Sequence, residues 1–348
     1  MDFFTRALAA LTEERGGAIA TVVSATGSTP RHLGARMMIT AGGRLLGSVG
    51  GGRIEHEVVQ RAHEVARTGR PEVVRHHLVR DLAMCCGGAM EIAIAPASSW
   101  EEALRAAVAA ERARTPVVLE TPRDGAPPRC RAPRPGEERG RGRPQLEGDL
   151  VVELCGQVPR VVVFGAGHVG RAVGDLAASC GFEVTICDDG ETGALDDALP
   201  WAHQVVDSFD AADAERALGG FGAQDAVLIV TRDHAVDQRL LEALLPRAEV
   251  AFLGMIGSRG KVGRFYKRLL AKGVITGADD PAWRRLAAPI GLDLGAETPA
   301  EIAVAVVAQL VALRRLGQRA PRAWGLAERA ARDPGDGAGA PVEEGDAG

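Results

Sequence analysis

A chain of 348 residues with 46% apolar content is long enough for two packed domains, and its 41 basic against 46 acidic residues give a formal net charge of −5. That balance argues against a general polyanion binder, so nucleic acid is not an expected partner, although a local anion pocket is compatible with it. No apolar run approaches the roughly 18 residues needed to span a bilayer, and the start "MDFFTRALAALTEERGG" lacks the basic, continuously apolar form of a secretory signal. No membrane association and a cytoplasmic location are expected, where six scattered cysteines would stay reduced.

In chain order, "GAIATVVSATGS" predicts a β-branched strand ending in a turn, and "ARMMITAGGRLLGSVGGG" a hairpin around Gly42 and Gly43. Ile54, Val58, Ala62 and Ala66 recur every four residues, the apolar stripe of a helix closed by Gly69 and Pro71. "PEVVRHHLVR" and "MEIAIAPA" predict strands on either side of "CCGG", and a helix follows from about Trp100 to Arg112. Residues 1–112 thus read as a small α+β domain. In Thr121–Gly148, Pro, Gly and Arg make up 18 of 28 residues, so 113–158 reads as a solvated linker. From 159 to 331 apolar strands alternate with helices, which predicts a Rossmann-like doubly wound parallel sheet, an α/β class domain preceded by the smaller α+β one. Residues 332–348 read as a disordered tail.

Within the second domain, Gly165, Gly167 and Gly170 stand in G-x-G-x-x-G spacing between a strand and a helix, with His168 opening that helix. This pattern suits a pyrophosphate at a helix start, and Asp188, 18 residues beyond Gly170, stands where an acid meets a ribose hydroxyl. NAD(P) or another nucleotide is the expected ligand of such a crevice. "TRDHAVDQRLL" sets His234 and Asp237 on one helix face near the carboxyl edge of the sheet, either toward a ligand or as a capped, half-exposed helix start. "GMIGSRGK" offers Ser258, Arg259 and Lys261 to an anion, or is plain loop geometry. In the first domain, Gly50, Gly51 and Gly52 before a helix starting near Arg53 form a second possible phosphate cradle, with Ser28, Thr29 and Arg31 on a preceding loop.

Cys85 and Cys86 are adjacent. Consecutive Cα atoms lie about 3.8 Å apart, below the usual disulfide range, so a bond between them would be strained. No C-x-x-C partner completes a four-ligand zinc site. An inert buried thiol, or a thiolate that binds a soft metal or carries sulfur, both remain open.

Together, "GSTPRHLGARM", "GSVGGGRIE", "CCGGAMEI", "VFGAGHVGRA", "TRDHAVDQRLL", "GMIGSRGK" and "PIGLDLGAETPAEIAVAVVAQLVALRR" resemble the XdhC/CoxI family of xanthine dehydrogenase accessory proteins, over nearly the whole chain outside the linker and tail. The resemblance implies a chaperone that binds the molybdenum cofactor (molybdopterin), protects it during sulfuration and inserts it into xanthine dehydrogenase or a related molybdenum hydroxylase. It further implies cooperation with a NifS-like cysteine desulfurase, a homodimer, and no net reaction on this chain. Cys86 matches the family's cysteine before Gly-Gly and is the residue expected to contact molybdenum or its sulfur, with Cys85 its neighbour. The alternative function is an NAD(P)-dependent oxidoreductase with His234 as proton donor or acceptor.

Overall fold

The computed structural model describes residues 3–316 except 83–86, 136, 138–142, 192, 194, 196, 223 and 251. Two compact units meet at the Gln157–Val158 junction. The expected tail, 332–348, and the cysteine pair lie outside the described residues.

The first unit runs α1 (Phe3–Glu13), β1 (Ala18–Thr26), β2 (Arg36–Ile39), β3 (Leu45–Gly47), α2 (Gly52–Thr68), β4 (Glu72–His77), α3 (Leu78–Leu82), β5 (Ala89–Pro96) and α4 (Glu101–Ala113). Its five strands form an antiparallel sheet in the order β3-β2-β1-β5-β4. The run Ala18–Val23 is buried throughout because the sheet is covered on both faces. Ala18, Ala20 and Val22 pack with Ile54, Val58, Ala62 and Val65 of α2, while Ile19 packs with Trp100 and Leu104 on the other side. The α2 stripe closes on Val65 rather than the expected Ala66, which is exposed, because a 3.6-residue period drifts off strict four-residue spacing.

The expected linker is instead built into this unit. β6 (Val117–Pro122), β7 (Arg129–Arg131), β8 (Gln145–Glu147) and β9 (Leu150–Cys155) form a four-stranded antiparallel sheet ordered β7-β6-β9-β8. Leu119 and Cys155 join the cluster around Trp100, and Val151 packs with Val23 and Ala93. Composition misled here because several arginines are held in ion pairs, Arg131 and Arg123 largely shielded from solvent and Arg129 at the surface. Arg131 and Arg129 donate to the buried Glu120 at 2.6 and 2.7 Å, Arg131 also binds Glu137, and Arg123 reaches Glu91. These hydrogen bonds, Arg131's first, hold the Glu120 carboxyl below its ordinary pKa despite burial.

The second unit runs β10 (Arg160–Phe164), α5 (His168–Ser179), β11 (Glu183–Asp188), β12 (Gln204–Asp207), α6 (Ala211–Leu218), β13 (Asp225–Ile229), α7 (His234–Leu244), β14 (Phe252–Met255), α8 (Arg259–Ala271), α9 (Pro281–Arg285), β15 (Leu286–Ala287) and α10 (Pro299–Leu316). All six strands are parallel in the order β12-β11-β10-β13-β14-β15, the doubly wound order of a Rossmann domain. Side chains of β10 and β13 alternate between two apolar clusters: Val162, Phe164, Val227 and Ile229 face α7 and α8, whereas Val161, Val163, Ala226 and Leu228 face α5 and α10. The apolar helix α10 buries Ala303, Val306, Val307 and Leu310 in that second cluster and leaves Val304 51% exposed. Among the described residues, no helix is long and apolar enough to cross a membrane.

Candidate functional site

Three loops of the first unit converge at one end of its five-stranded sheet. The Gly88 N–H donates to the Ser28 carbonyl at 3.0 Å, and the Gly88 carbonyl accepts from Leu78 N–H at 3.0 Å. A Cβ on Gly88 would lie 2.6 Å from the Ser28 oxygen, so only glycine lets the chain after the cysteine pair lie against that loop. Pro30 of the same loop packs over Gly50, whose Cβ would stand 2.7 Å from the proline ring. "GSTPR", "GSVGGGR" and the glycines of "CCGG" are thus neighbours, although 20 to 60 residues separate them in sequence. Cys85 and Cys86 themselves lie outside the described residues.

Part of the expected phosphate cradle is already filled by the protein. The Glu55 carboxylate, in the first turn of α2, accepts from the Ser48 hydroxyl at 2.6 Å and from the backbone N–H groups of Val49 and Gly50 at 3.0 and 3.2 Å. Burial pushes its pKa up, but these bonds, together with one from Gly51 N–H, outweigh it and leave the carboxyl below its ordinary value. The N–H groups of Gly50 and Gly51 are therefore both committed to an internal anion. A carboxylate in a helix's first turn, facing orphan N–H groups, was the sequence signal for this. Space remains open around Gly51, Gly52 and Gly87, where an added Cβ would meet no atom within 4 Å, and Arg53 is exposed beside them. Backbone is therefore open to close approach on both the α2 turn and the "CCGG" segment.

In the second unit, Gly167 is the N-cap of α5, and Gly167 and His168 are exposed on a cleft of about 670 Å³. Gly165 and Gly170 are needed for packing: a Cβ at Gly170 would overlap the Gly165 carbonyl oxygen, and Gly165 itself has φ +118° against the Val230 carbonyl. Asp188 lines this cleft but corrects the expectation of a free ribose acceptor. It is 1% exposed, and its two oxygens accept from Ala166 N–H at 2.7 Å and Gly190 N–H at 3.0 Å. It clasps the glycine loop to the end of β11. Thr231, Arg232 and an Arg171–Asp197 ion pair at 3.0 Å complete the charged and polar lining.

His234 and Asp237 do not line that cleft. Asp233 caps α7 through Ala235 N–H at 2.6 Å, leaving the His234 side chain 62% exposed with its ring edge-on to Phe265. Asp237 is fully buried, accepts from the Thr231 hydroxyl at 2.7 Å and pairs with Lys261 at 2.5 Å, while His234 Nδ1 lies 3.8 Å away. Lys261, an expected anion ligand, is 8% exposed and also donates to the Ile256 carbonyl at 3.0 Å. It joins α8 to α7 and is not available to a ligand. Among the described residues, no cluster of three or more His, Cys, Asp or Glu side chains has metal-holding geometry. Burial pushes the Cys130 thiol to about 11 and Cys187 to about 12, so neither is an activated thiolate.

Known proteins share both units. The model of the XdhC Rossmann domain matches residues 161–310, and that of the XdhC and CoxI family matches residues 10–77; together they span more than half of the chain. The chain is 27% identical over 318 residues to the uncharacterised protein YqeB of Escherichia coli, covering 90% of itself but only 46% of YqeB. It is 26% identical over 341 residues to a Bacillus subtilis protein named as a probable xanthine dehydrogenase subunit, covering 90% of itself and 98% of that protein. A Bacillus halodurans crystal structure described as a xanthine dehydrogenase superposes with TM-score 0.75 at 21% identity, covering 94% of this chain and 100% of the other, a likeness of fold. With both of its units matched in family order, the chain belongs to the XdhC and CoxI family.

Proposed function

We propose that this protein is an accessory factor that carries the molybdenum cofactor and delivers it to xanthine dehydrogenase or a related molybdenum hydroxylase. Family membership supports an accessory role, and the name of the Bacillus subtilis relative points to xanthine dehydrogenase as the enzyme served. The observation that carries the finer reading is the convergence of the Ser28 loop, the Gly51–Gly52 turn and Gly87–Gly88. Open backbone at Gly51, Gly52 and Gly87 fits a bulky, anionic cargo, with the start of α2 and Arg53 for the phosphate of the pterin. Cys86, one residue before Gly87, would present a soft thiolate toward the metal or its sulfur. Bound there, the cofactor brings redox-active molybdenum on a dithiolene; the chain's own residues bind and shield it. A NifS-like desulfurase as sulfur donor and a homodimeric state belong to the same proposal.

The test is retention of molybdopterin, read by the fluorescence of its oxidised pterin after the purified chain is loaded and desalted. Wild type is expected to retain cofactor near one equivalent per chain, and Cys86→Ser and Arg53→Ala to lose most of it while keeping the wild-type circular dichroism spectrum. No retention by wild type, or unchanged retention in Cys86→Ser, overturns the reading.

A further inference from the structure

The contact between Glu55 and the turn before α2 is more crowded than a helix start requires. Three donors meet one carboxylate oxygen, Oε1: the Ser48 hydroxyl at 2.6 Å, Val49 N–H at 3.0 Å and Gly50 N–H at 3.2 Å, the last shared with the Ser48 hydroxyl oxygen, also at 3.2 Å. A carboxylate oxygen offers about two lone pairs, in the plane of the group. A terminal oxygen on a tetrahedral phosphorus has a third, and the three form a cone. The donors therefore fit a phosphate oxygen better than the side chain that fills them. We propose that Glu55 is an internal stand-in for the phosphate of the cargo, a latch whose carboxylate holds the donors of the α2 turn until the anion displaces it and so keeps affinity low enough for hand-over. This latch presupposes the carrier reading of the same turn and adds to it how the cargo is released.

The surroundings allow the exchange. Val49 and Ile54 are fully buried on either side of the turn and Pro30 packs against Gly50, so the backbone donors are held in place by the core and not by Glu55 alone. Glu55 itself is half-buried, and the space around Gly51 and Gly52 is open, so its side chain can swing toward solvent while the backbone stays. From the turn a groove of about 720 Å³ runs along α2, lined by Gly52, Arg53, His56, Glu57, Gln60 and Arg61, which gives room to a group larger than a bare anion. The Glu55 carboxyl, held below its ordinary pKa, is charged at neutral pH, and two like charges cannot share the turn. Exchange of one anion for the other keeps negative charge at the start of this 17-residue helix, so the helix dipole does not oppose it. A ligand that waits for a latch binds more weakly by the open fraction: a latch open about one-tenth of the time weakens binding about tenfold. A purely structural Glu55 has the opposite consequence, because its loss loosens the turn and weakens anion binding.

Isothermal titration of the full chain with inorganic phosphate tests the latch without the cargo. Glu55→Gln, which keeps the shape and removes the charge, and Glu55→Ala, which empties the cradle, are expected to bind phosphate about tenfold or more tighter than wild type, with an unchanged circular dichroism spectrum. Adding Arg53→Ala to Glu55→Gln should abolish the gain, which locates the anion at the start of α2. Loaded with molybdopterin and diluted, the Glu55 variants should release it about tenfold more slowly than wild type. Phosphate affinity equal to or below that of wild type in the variants that keep the wild-type spectrum, or a gain that survives Arg53→Ala, overturns the latch. A phosphate gain in the variants without molybdopterin retention by wild type supports the latch and overturns the carrier reading, so the two are read apart.

Discussion

At the scale of single residues, the groups that looked most like ligand contacts divide into those already engaged and those left open. Asp188 holds two backbone N–H groups inside the protein, so Asp188→Ala orphans both and is expected to cost about 2–4 kcal/mol, read from the shift of the urea unfolding curve. Lys261 and Asp237 form a buried pair. Lys261→Met, which strands the carboxylate, should cost about 3–5 kcal/mol, and the double variant Lys261→Met with Asp237→Leu should recover much of it. Glu55 has a folded-state pKa below its unfolded value of about 4.3. Its contribution to stability is therefore fully present above that unfolded value and fades as the pH falls through the lower folded-state value. Glu55→Gln should lower the melting temperature at neutral pH and flatten its fall below pH 4.3, as followed by thermal melts across the acid range. The identity of each of these residues was legible in the sequence, and their engagement was not: Lys261 and Asp237 are 24 positions apart, and nothing local says that one answers the other.

At the scale of elements, local pattern was a good guide to type and a poorer one to roles within a motif. The strand, glycine turn and helix at 160–179 follow from an apolar run that breaks at Gly165 and resumes with helical spacing. The three glycines are nevertheless unequal. Gly170→Ala, with a Cβ driven into the Gly165 carbonyl, should cost about 3 kcal/mol or more, whereas Gly167→Ala should cost less than about 1 kcal/mol, a contrast measured by denaturant titration of both variants. The start of α10 shows the reverse case, a helix whose first turn is fixed by purely local bonds. Thr298 and Glu301 form a capping box, the glutamate accepting from Thr298 N–H and Glu297 N–H at 2.9 Å and the threonine hydroxyl receiving Glu301 N–H at 3.3 Å.

At the scale of the whole molecule, the sheet formed by residues 117–155 moves the edge of the first unit from the expected 112 to Gln157. Leu119, Val151 and Cys155 cover apolar side chains of α4 and the five-stranded sheet, so a fragment ending at 112 exposes that face. A fragment of residues 1–157 is expected to melt cooperatively and stay monodisperse, and one of residues 1–112 to aggregate or melt without a transition, as followed by circular dichroism and size-exclusion chromatography. Arginine- and proline-rich composition hid this sheet because composition averages over 28 residues, while the strands that bury apolar surface, β6 and β9, stand mainly at the margins of that window.

By itself the sequence determined most of the elements outside residues 113–158, the parallel doubly wound class of the second unit and the glycine-marked turns, because apolar periodicity and glycine placement act over a few residues. Only the tertiary structure decided which polar groups are free. Hydrogen-bond partners such as Ser28 and Gly88, Ala166 and Asp188, or Asp237 and Lys261 are brought together by sheet order and by helices crossing it. A buried polar group takes the partner that folding puts within reach.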